Sequence, residues 1–177
     1  AKLPVIGVLL PVNPEPVSTW IREALRDAGY VDGKNVRFEI RNADGKPDLL
    51  NEQAEELVRL SVDLIIVLQT PAAFAARKAT TSIPIVMAQV ADPVGTGLVA
   101  SLARPGGNIT GISGTTAELG AKILELIREM SPSAQRVAVL VNANDPFTRI
   151  FAEHVERDVR AVGRHVQVVD DGAVRKR

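Results

Sequence analysis

The chain has 177 residues, 46% of them hydrophobic, which is enough to build a core in one domain or in two small lobes. Its 21 basic and 21 acidic residues cancel, and no basic block occurs before the last few residues, so a nucleic-acid partner is not expected. The absence of cysteine excludes disulfides, thiolate metal sites and a cysteine nucleophile, but it leaves the cellular compartment open. No stretch of the sequence is long enough to cross a membrane.

Short apolar runs alternate with stretches of helical periodicity over the first ninety residues. The predicted strands are Leu3 to Leu10, Asn35 to Arg41, Val62 to Leu68 and Ile83 to Ala88. The predicted helices are Val17 to Ala28, with Trp20, Ile21, Ala24 and Leu25 on its apolar face and Gly29 at its end, Pro47 to Leu60, and Pro71 to Ala79. This order predicts an α/β fold with a three-layer, doubly wound parallel sheet and right-handed crossovers.

The pattern changes after Asp92-Pro93. A short helix from Leu98 to Ala103, a turn at Arg104 to Asn108 and an extended segment from Ile109 to Ile112 are predicted next. A second series follows: helix Thr116 to Met130, strand Arg136 to Val141, helix Pro146 to Val162 and strand His165 to Val169. We expect residues 1–111 to form one complete Rossmann-like lobe and residues 112–177 an incomplete second lobe. The alternative is a complete single domain in which all strands share one sheet.

The candidate site residues lie in the loops that follow the predicted strands, because ligands of open α/β sheets bind beyond the carboxyl ends of the strands. They are Asn13 and Ser18 after the first strand, Gln69, Thr70, Pro71 and Ala72 after the third, Asp92 after the fourth, and Asn142 and Asp145 in the second series. No catalytic residue and no metal ligand is predicted among them.

Two of these loops suit the two ends of a zwitterion. Thr70 is expected at a helix N-cap with Pro71 at the first helical position, where small residues leave backbone N–H groups open to a carboxylate or phosphate. The carboxylate of Asp92 suits an ammonium group. Three of the candidate residues also have a purely structural alternative, since Ser18, Asp92 and Asp145 are all typical helix caps.

Enzymatic patterns are weak in this sequence. Gly95 to Ala100 fits a loose dinucleotide-binding pattern, but it follows an Asp-Pro loop and no acid at a strand end appears about twenty residues later. His154 and His165 have no acid or nucleophile at a recognisable spacing. No cofactor is therefore expected.

Four stretches resemble one known family: AGYVDGKNV from Ala28, QTPAA from Gln69, SIPIVMAQVADPVGTGLVASLARPGGNITGIS from Ser82, and RVAVLVNANDP from Arg136. They are similar to the ABC transporter substrate-binding proteins that include tryptophan- and tyrosine-type importer receptors. The resemblance covers roughly the first 165 residues and implies a type I periplasmic-binding fold. It also implies a solute between two lobes, with the turn Gln69 to Ala72 receiving a carboxylate, Asp92 near the ammonium and Asn142 to Asp145 closing from the second lobe.

This resemblance implies an extracytoplasmic solute-binding component of an ABC importer, in its mature periplasmic form without a signal peptide. It would close by a hinge around a small solute such as an amino acid or a related carboxylate, and then deliver it to a membrane permease. Because family members continue further, the chain reads as truncated, and a homodimer formed through the incomplete lobe is a further expectation. A cytosolic α/β ligand-sensing domain and a small α/β enzyme are the alternatives.

Overall fold

The structure is a computed structural model that describes residues 2–12, 15–114, 119–142 and 145–170. The chain divides into two compact units, residues 1–114 and residues 115–177. The strands of the first unit are β1 Val5–Leu10, β2 Arg37–Asn42, β3 Leu64–Leu68, β4 Ile85–Val90 and β5 Ile109–Ser113. Its helices are α1 Val17–Asp27, α2 Pro47–Arg59 and α3 Gln69–Ala79.

The five strands of the first unit form one parallel sheet in the order β2-β1-β3-β4-β5. The chain begins in β1, adds β2 on one side and then crosses to β3 on the other side. The topological switch point therefore lies between β1 and β3. This arrangement confirms the predicted doubly wound parallel sheet.

Helices cover both faces of this sheet and make three layers. On one face, Ile6 and Val8 of β1 pack with Ile21 and Leu25 of α1. On the other face, α2 and α3 bury apolar side chains against β1, β3 and β4 in a larger cluster that includes Leu57 and Ile65. Alternation along β1 explains this division, because successive side chains of a strand point to opposite faces.

The second unit contains α4 Leu119–Met130, β6 Arg136–Val141, α5 Pro146–Ala161 and β7 His165–Asp170. β6 and β7 pair in parallel and form a two-stranded sheet of their own. Leu124 of α4 and Val155 and Val159 of α5 form its buried cluster. The described strands thus form two sheets, which contradicts the alternative of one shared sheet.

The predicted helix from Leu98 to Ala103 is wrong. Bends occupy this segment, and the N–H groups of Leu98 and Val99 both donate to the carbonyl oxygen of Pro93, at 2.8 and 3.0 Å. Both side chains are buried, so their apolar character serves packing rather than a helical face. Gly97, with φ 71°, breaks the helical backbone at the start of the segment.

Two further details differ from the sequence-based expectation. Trp20 is 61% exposed, so the buried face of α1 is formed by Val17, Ile21 and Leu25 without it. β5 extends to Ser113, which pairs with Val90, so residues 112 and 113 belong to the first sheet. None of the helices in the described part of the chain combines the length and the apolar character needed to span a bilayer.

Candidate functional site

The carboxyl ends of β1 and β3 lie side by side at the switch point of the first unit. Leu9 pairs with Val67, so the loops that start at Pro11 and Gln69 leave the sheet next to each other. A crevice at such a point is the usual ligand site of an open parallel sheet. Asn13, the first predicted contact, lies outside the described residues.

Ser18 lies near the start of α1, but it does not cap this helix, because Pro16 occupies the N-cap position. Ser18 is 5% exposed, and its hydroxyl donates to Oε1 of Glu15 at 2.9 Å. Thr19 donates to Oε2 of the same carboxylate at 2.7 Å. These hydrogen bonds from Thr19 and Ser18 lower the pKa of Glu15. The proton of the Ser18 hydroxyl is thus engaged, and a solute would meet its oxygen as an acceptor.

The turn from β3 into α3 exposes Gln69 and buries two of the three residues that follow it. Gln69 is the first residue of α3, and its φ is 61°. Thr70 is 1% exposed and Ala72 is 0% exposed, whereas Pro71 is half-buried. The predicted N-cap role of Thr70 is wrong, because the helix begins one residue earlier and no side chain caps it. Gln69 is therefore the residue of this turn that is open to solvent.

Thr70 instead joins the loop after β3 to the loop after β4. Its hydroxyl accepts a hydrogen bond from the N–H of Ala91 at 3.3 Å and donates to the carbonyl oxygen of Ala91 at 3.5 Å. Ala91 directly precedes Asp92. The buried hydroxyl thus holds the start of α3 against the segment that carries the predicted ammonium contact.

A bulge near the end of β4 contains Gln89, a residue that was not among the candidates from the sequence. The register between β4 and β5 shifts between Met87 and Val90, and Gln89, within the shifted segment, has φ 61°. Left-handed φ angles are uncommon outside glycine, and bulges near sites often redirect a side chain. Gln89 is exposed. Its one signal in the sequence is a polar residue inside the apolar run IVMAQV.

Gln89 stands beside Gln69 at the carboxyl edge of the sheet. Leu68 of β3 pairs with Ala88 of β4, so each glutamine is the residue that follows one member of this pair. Both side chains are exposed, and neither amide makes a side-chain hydrogen bond to the described part of the chain. The two amides therefore provide neighbouring donors and acceptors at this edge.

Asp92 stabilises the turn that follows β4. Its φ is 36°, its Oδ1 accepts a hydrogen bond from the N–H of Gly95 at 2.9 Å, and its carbonyl oxygen accepts from the N–H of Thr96 at 3.0 Å. Residues 93–97 form turns, so the alternative of a cap on a helix starting at Pro93 is wrong in its detail. The carboxylate caps a turn, as an Asx side chain commonly does.

Asn142 and Asp145 lie together at the carboxyl end of β6 in the second unit. Asp145 is the N-cap of α5, as its structural alternative predicts, and its carboxylate accepts a hydrogen bond from the N–H of Phe147 at 2.9 Å. Burial raises the pKa of Asp145, and the hydrogen bond from Phe147 opposes this shift. The N–H of Asp145 donates to the carbonyl oxygen of Asn142 at 3.1 Å. A cavity of about 370 Å³ adjoins Asn142 and the charged side chains Arg149 and Glu153.

Within residues 2–12, 15–114, 119–142 and 145–170, no group of three or more His, Cys, Asp or Glu could hold a metal ion. His154 lies in α5, where its Nδ1 is 2.9 Å from the carbonyl oxygen of Ile150. The polar groups described above suit reversible binding of a small polar molecule.

The sequence matches the family of ABC transporter substrate binding proteins over residues 15–165. The chain belongs to this family. A curated relative, the tyrosine-binding protein of Clostridioides difficile strain R20291, is 40% identical over 129 residues, which are 72% of this chain and 36% of that protein.

Two solved structures share the fold closely. A conserved domain protein from Vibrio cholerae has a TM-score of 0.86 and 28% identity, and the ABC domain from Streptococcus pneumoniae, solved in complex with L-Trp, has a TM-score of 0.82 and 28% identity. Each match covers 96% of this chain and 57% of the other chain. The chain therefore has a type I periplasmic-binding-protein fold and spans about half the length of these structures.

Proposed function

We propose that this chain is a solute-binding component of an ABC importer that acts outside the cytoplasm and delivers its solute to a membrane permease. The observation that carries this proposal is the parallel sheet of a family member, with exposed polar groups gathered at the carboxyl edge beside the switch point. The reaction is binding and release by hinge closure, and no covalent bond changes.

The solute is a small molecule, either an amino acid or a related carboxylate, and aromatic amino acids are the first candidates. Two relatives support this choice, one named a tyrosine-binding protein and one solved with L-Trp. In this proposal the turn from Gln69 to Ala72 receives the carboxylate and Asp92 receives the ammonium. Asn13 and Ser18 remain expected contacts from the loop after β1, and Asn142 and Asp145 remain expected contacts from the second unit.

A calorimetric screen of amino acids against this chain tests the proposal. L-Tryptophan and L-tyrosine should bind and raise the thermal midpoint, because a ligand that binds only the folded state stabilises it. Their analogues without the amino group, the corresponding aryl propionates, should bind more weakly. A screen in which no amino acid binds would refute the proposal and favour a different ligand or a catalytic role.

The role of Asp92 is tested by Asp92→Asn, with Asp27→Asn as the matched control on the exposed end of α1. Loss of the charge-assisted hydrogen bond should weaken L-tryptophan binding by about tenfold or more. The analogue without an amino group should lose little affinity. Equal losses for both ligands would show that Asp92 acts through the turn alone.

A further inference from the structure

We propose that Gln89 is an additional solute contact, which together with Gln69 forms an uncharged amide pair that holds the carboxylate of a net-neutral zwitterion. This inference rests on the proposed function and adds to it a residue and a preference among solutes. The two glutamines follow paired residues of β3 and β4, so their backbones are neighbours at the carboxyl edge of the sheet.

The conformation of both residues is unusual in the same way. Gln69 and Gln89 each have φ 61°, although glutamine has no special tolerance of the left-handed region. The bulge in β4 displaces Gln89 from the regular ladder with β5. Such strain persists only where the surrounding structure enforces it, and it is frequent at ligand sites.

The amide groups of Gln69 and Gln89 are both available to a ligand. Both residues are exposed, and neither side chain is satisfied by a hydrogen bond within the described residues. By contrast, the amide of Asn108 in the same unit donates to the carbonyl oxygens of Thr80 and Ile83, at 3.3 and 2.8 Å. The sheet edge thus has amide groups that are free for a ligand, whereas Asn108 fastens the fold.

The charges at this edge select the solute. The segments 69–76 and 89–97 contain the carboxylate of Asp92 but no lysine or arginine, and Arg77, which follows the first of them, donates to the carbonyl oxygen of Gly97 at 2.6 Å. A solute with a carboxylate alone would meet the negative charge of Asp92 there, whereas a zwitterion brings its own compensating ammonium group. Neutral N–H donors such as the Gln69 and Gln89 amides are the groups that can hold its carboxylate without an added charge.

Gln89 also adjoins the last residue of the first unit. A Cβ built on Gly114 would lie 3.6 Å from the carbonyl carbon of Gln89, and the N–H of Gly114 donates to the carbonyl oxygen of Val90 at 2.7 Å. The contact residue is therefore directly coupled to the backbone at the point where the chain leaves the first unit.

The test is the isosteric substitution Gln89→Glu, with Gln135→Glu before β6 as the matched control. L-Tryptophan, L-tyrosine and their primary amides are the probes in calorimetry. Gln89→Glu should weaken binding of the amino acids by about tenfold or more, since it places a new negative charge beside the carboxylate of the solute. Binding of the amides, which lack that carboxylate, should stay the same or strengthen, and Gln135→Glu should change neither.

The outcomes separate this inference from the proposed function. If the unsubstituted chain binds L-tryptophan or L-tyrosine and Gln89→Glu binds it equally well, the amide pair is refuted and the proposed function stands. Equal weakening of amino acid and amide would also refute it, because the effect would then not follow the carboxylate. If the unsubstituted chain binds neither amino acid, the proposed function and the amide pair both fail. Gln69→Glu, measured in parallel, should reproduce the selective loss.

Discussion

Replacing Thr70 by valine should reveal how the loops after β3 and β4 are held together. Valine has nearly the same shape as threonine, so the substitution removes the hydroxyl without leaving a cavity. The N–H and the carbonyl oxygen of Ala91 would then lose their partner in a position where Thr70 is 1% exposed. Both bonds are long, at 3.3 and 3.5 Å. The cost therefore belongs near the lower end of the range for an unsatisfied buried group, about 1–2 kcal/mol.

For a unit of this size, that loss corresponds to a thermal midpoint lower by about 4–8 °C. Thr70→Ser is the control, because it keeps the hydroxyl and loses one methyl group, at a cost of about 1 kcal/mol. Hydrogen exchange separates the two variants: the amide of Ala91 should exchange faster in Thr70→Val and stay protected in Thr70→Ser. Unchanged protection of Ala91 in Thr70→Val would refute the positioning role.

Substitutions at three further positions, Gly111, Gly95 and Asp145, test the turns and caps. Gly111→Ala should lower the unfolding free energy by about 3 kcal/mol or more, because φ is 138° and the new Cβ would lie 2.2 Å from the carbonyl oxygen of Met87. The control Gly107→Ala should change the unfolding free energy by no more than about 0.5 kcal/mol in thermal melting. Gly95→Ala places a Cβ 2.0 Å from Oδ2 of Asp92, so calorimetry should show weaker L-tryptophan binding than in Gly107→Ala. The pKa of Asp145 is raised in the folded state, so the contribution of this residue to stability falls as the pH rises from the usual pKa of 3.8 through the folded pKa. Denaturant titrations across that pH range should show that this fall in unfolding free energy disappears in Asp145→Asn. Asp145→Ala should cost about 1 kcal/mol through loss of the cap, while Asp145→Asn should keep it.

The elements of the first unit could be predicted because local and global signals agree there. The continuous apolar run around Ile65 indicates a central parallel strand, and that strand pairs on both sides. Gly29 indicates the end of α1, where its N–H donates to the carbonyl oxygen of Arg26 and the N–H of Tyr30 to that of Leu25. In such segments the periodicity, the cap and the packing all require the same structure.

The misplaced helix from Leu98 to Ala103 shows where this agreement fails. Its apolar residues have a helical spacing, but Leu98 and Val99 are buried with hydrogen bonds to the carbonyl oxygen of Pro93, which lies outside the segment, and Leu102 is exposed. The predicted position of Trp20 on the buried face is wrong for a related reason. Periodicity assigns this residue to the apolar face of α1, but the packing of α1 on the sheet decides which side of the helix is buried. Tertiary contacts decide both cases, and no local pattern contains them.

The candidate site was only partly predictable. The loops after β3 and β4 follow from the predicted strand positions and from the rule that ligands bind at the carboxyl ends of parallel strands. The exposed amide of Gln89 does not follow from it, because a bulge at a glutamine has no sequence signature comparable to glycine in a tight turn. The buried state of Thr70 and Ala72 was equally hidden, since burial of the helix start depends on how α3 packs on the sheet.

The structural role of Asp92 is compatible with the binding role proposed for it, because its carboxylate has two oxygens. Oδ1 accepts the hydrogen bond from the N–H of Gly95, and Oδ2 makes no hydrogen bond within the described residues. A carboxylate accepts several hydrogen bonds, so the one that orders the turn leaves capacity for an ammonium group. The absence of a side chain at Gly95 is what leaves room for the carboxylate there. A side chain fixed in this way loses little conformational entropy when a solute binds. The turn that uses one oxygen of Asp92 therefore also preorganises this carboxylate for the proposed ammonium contact.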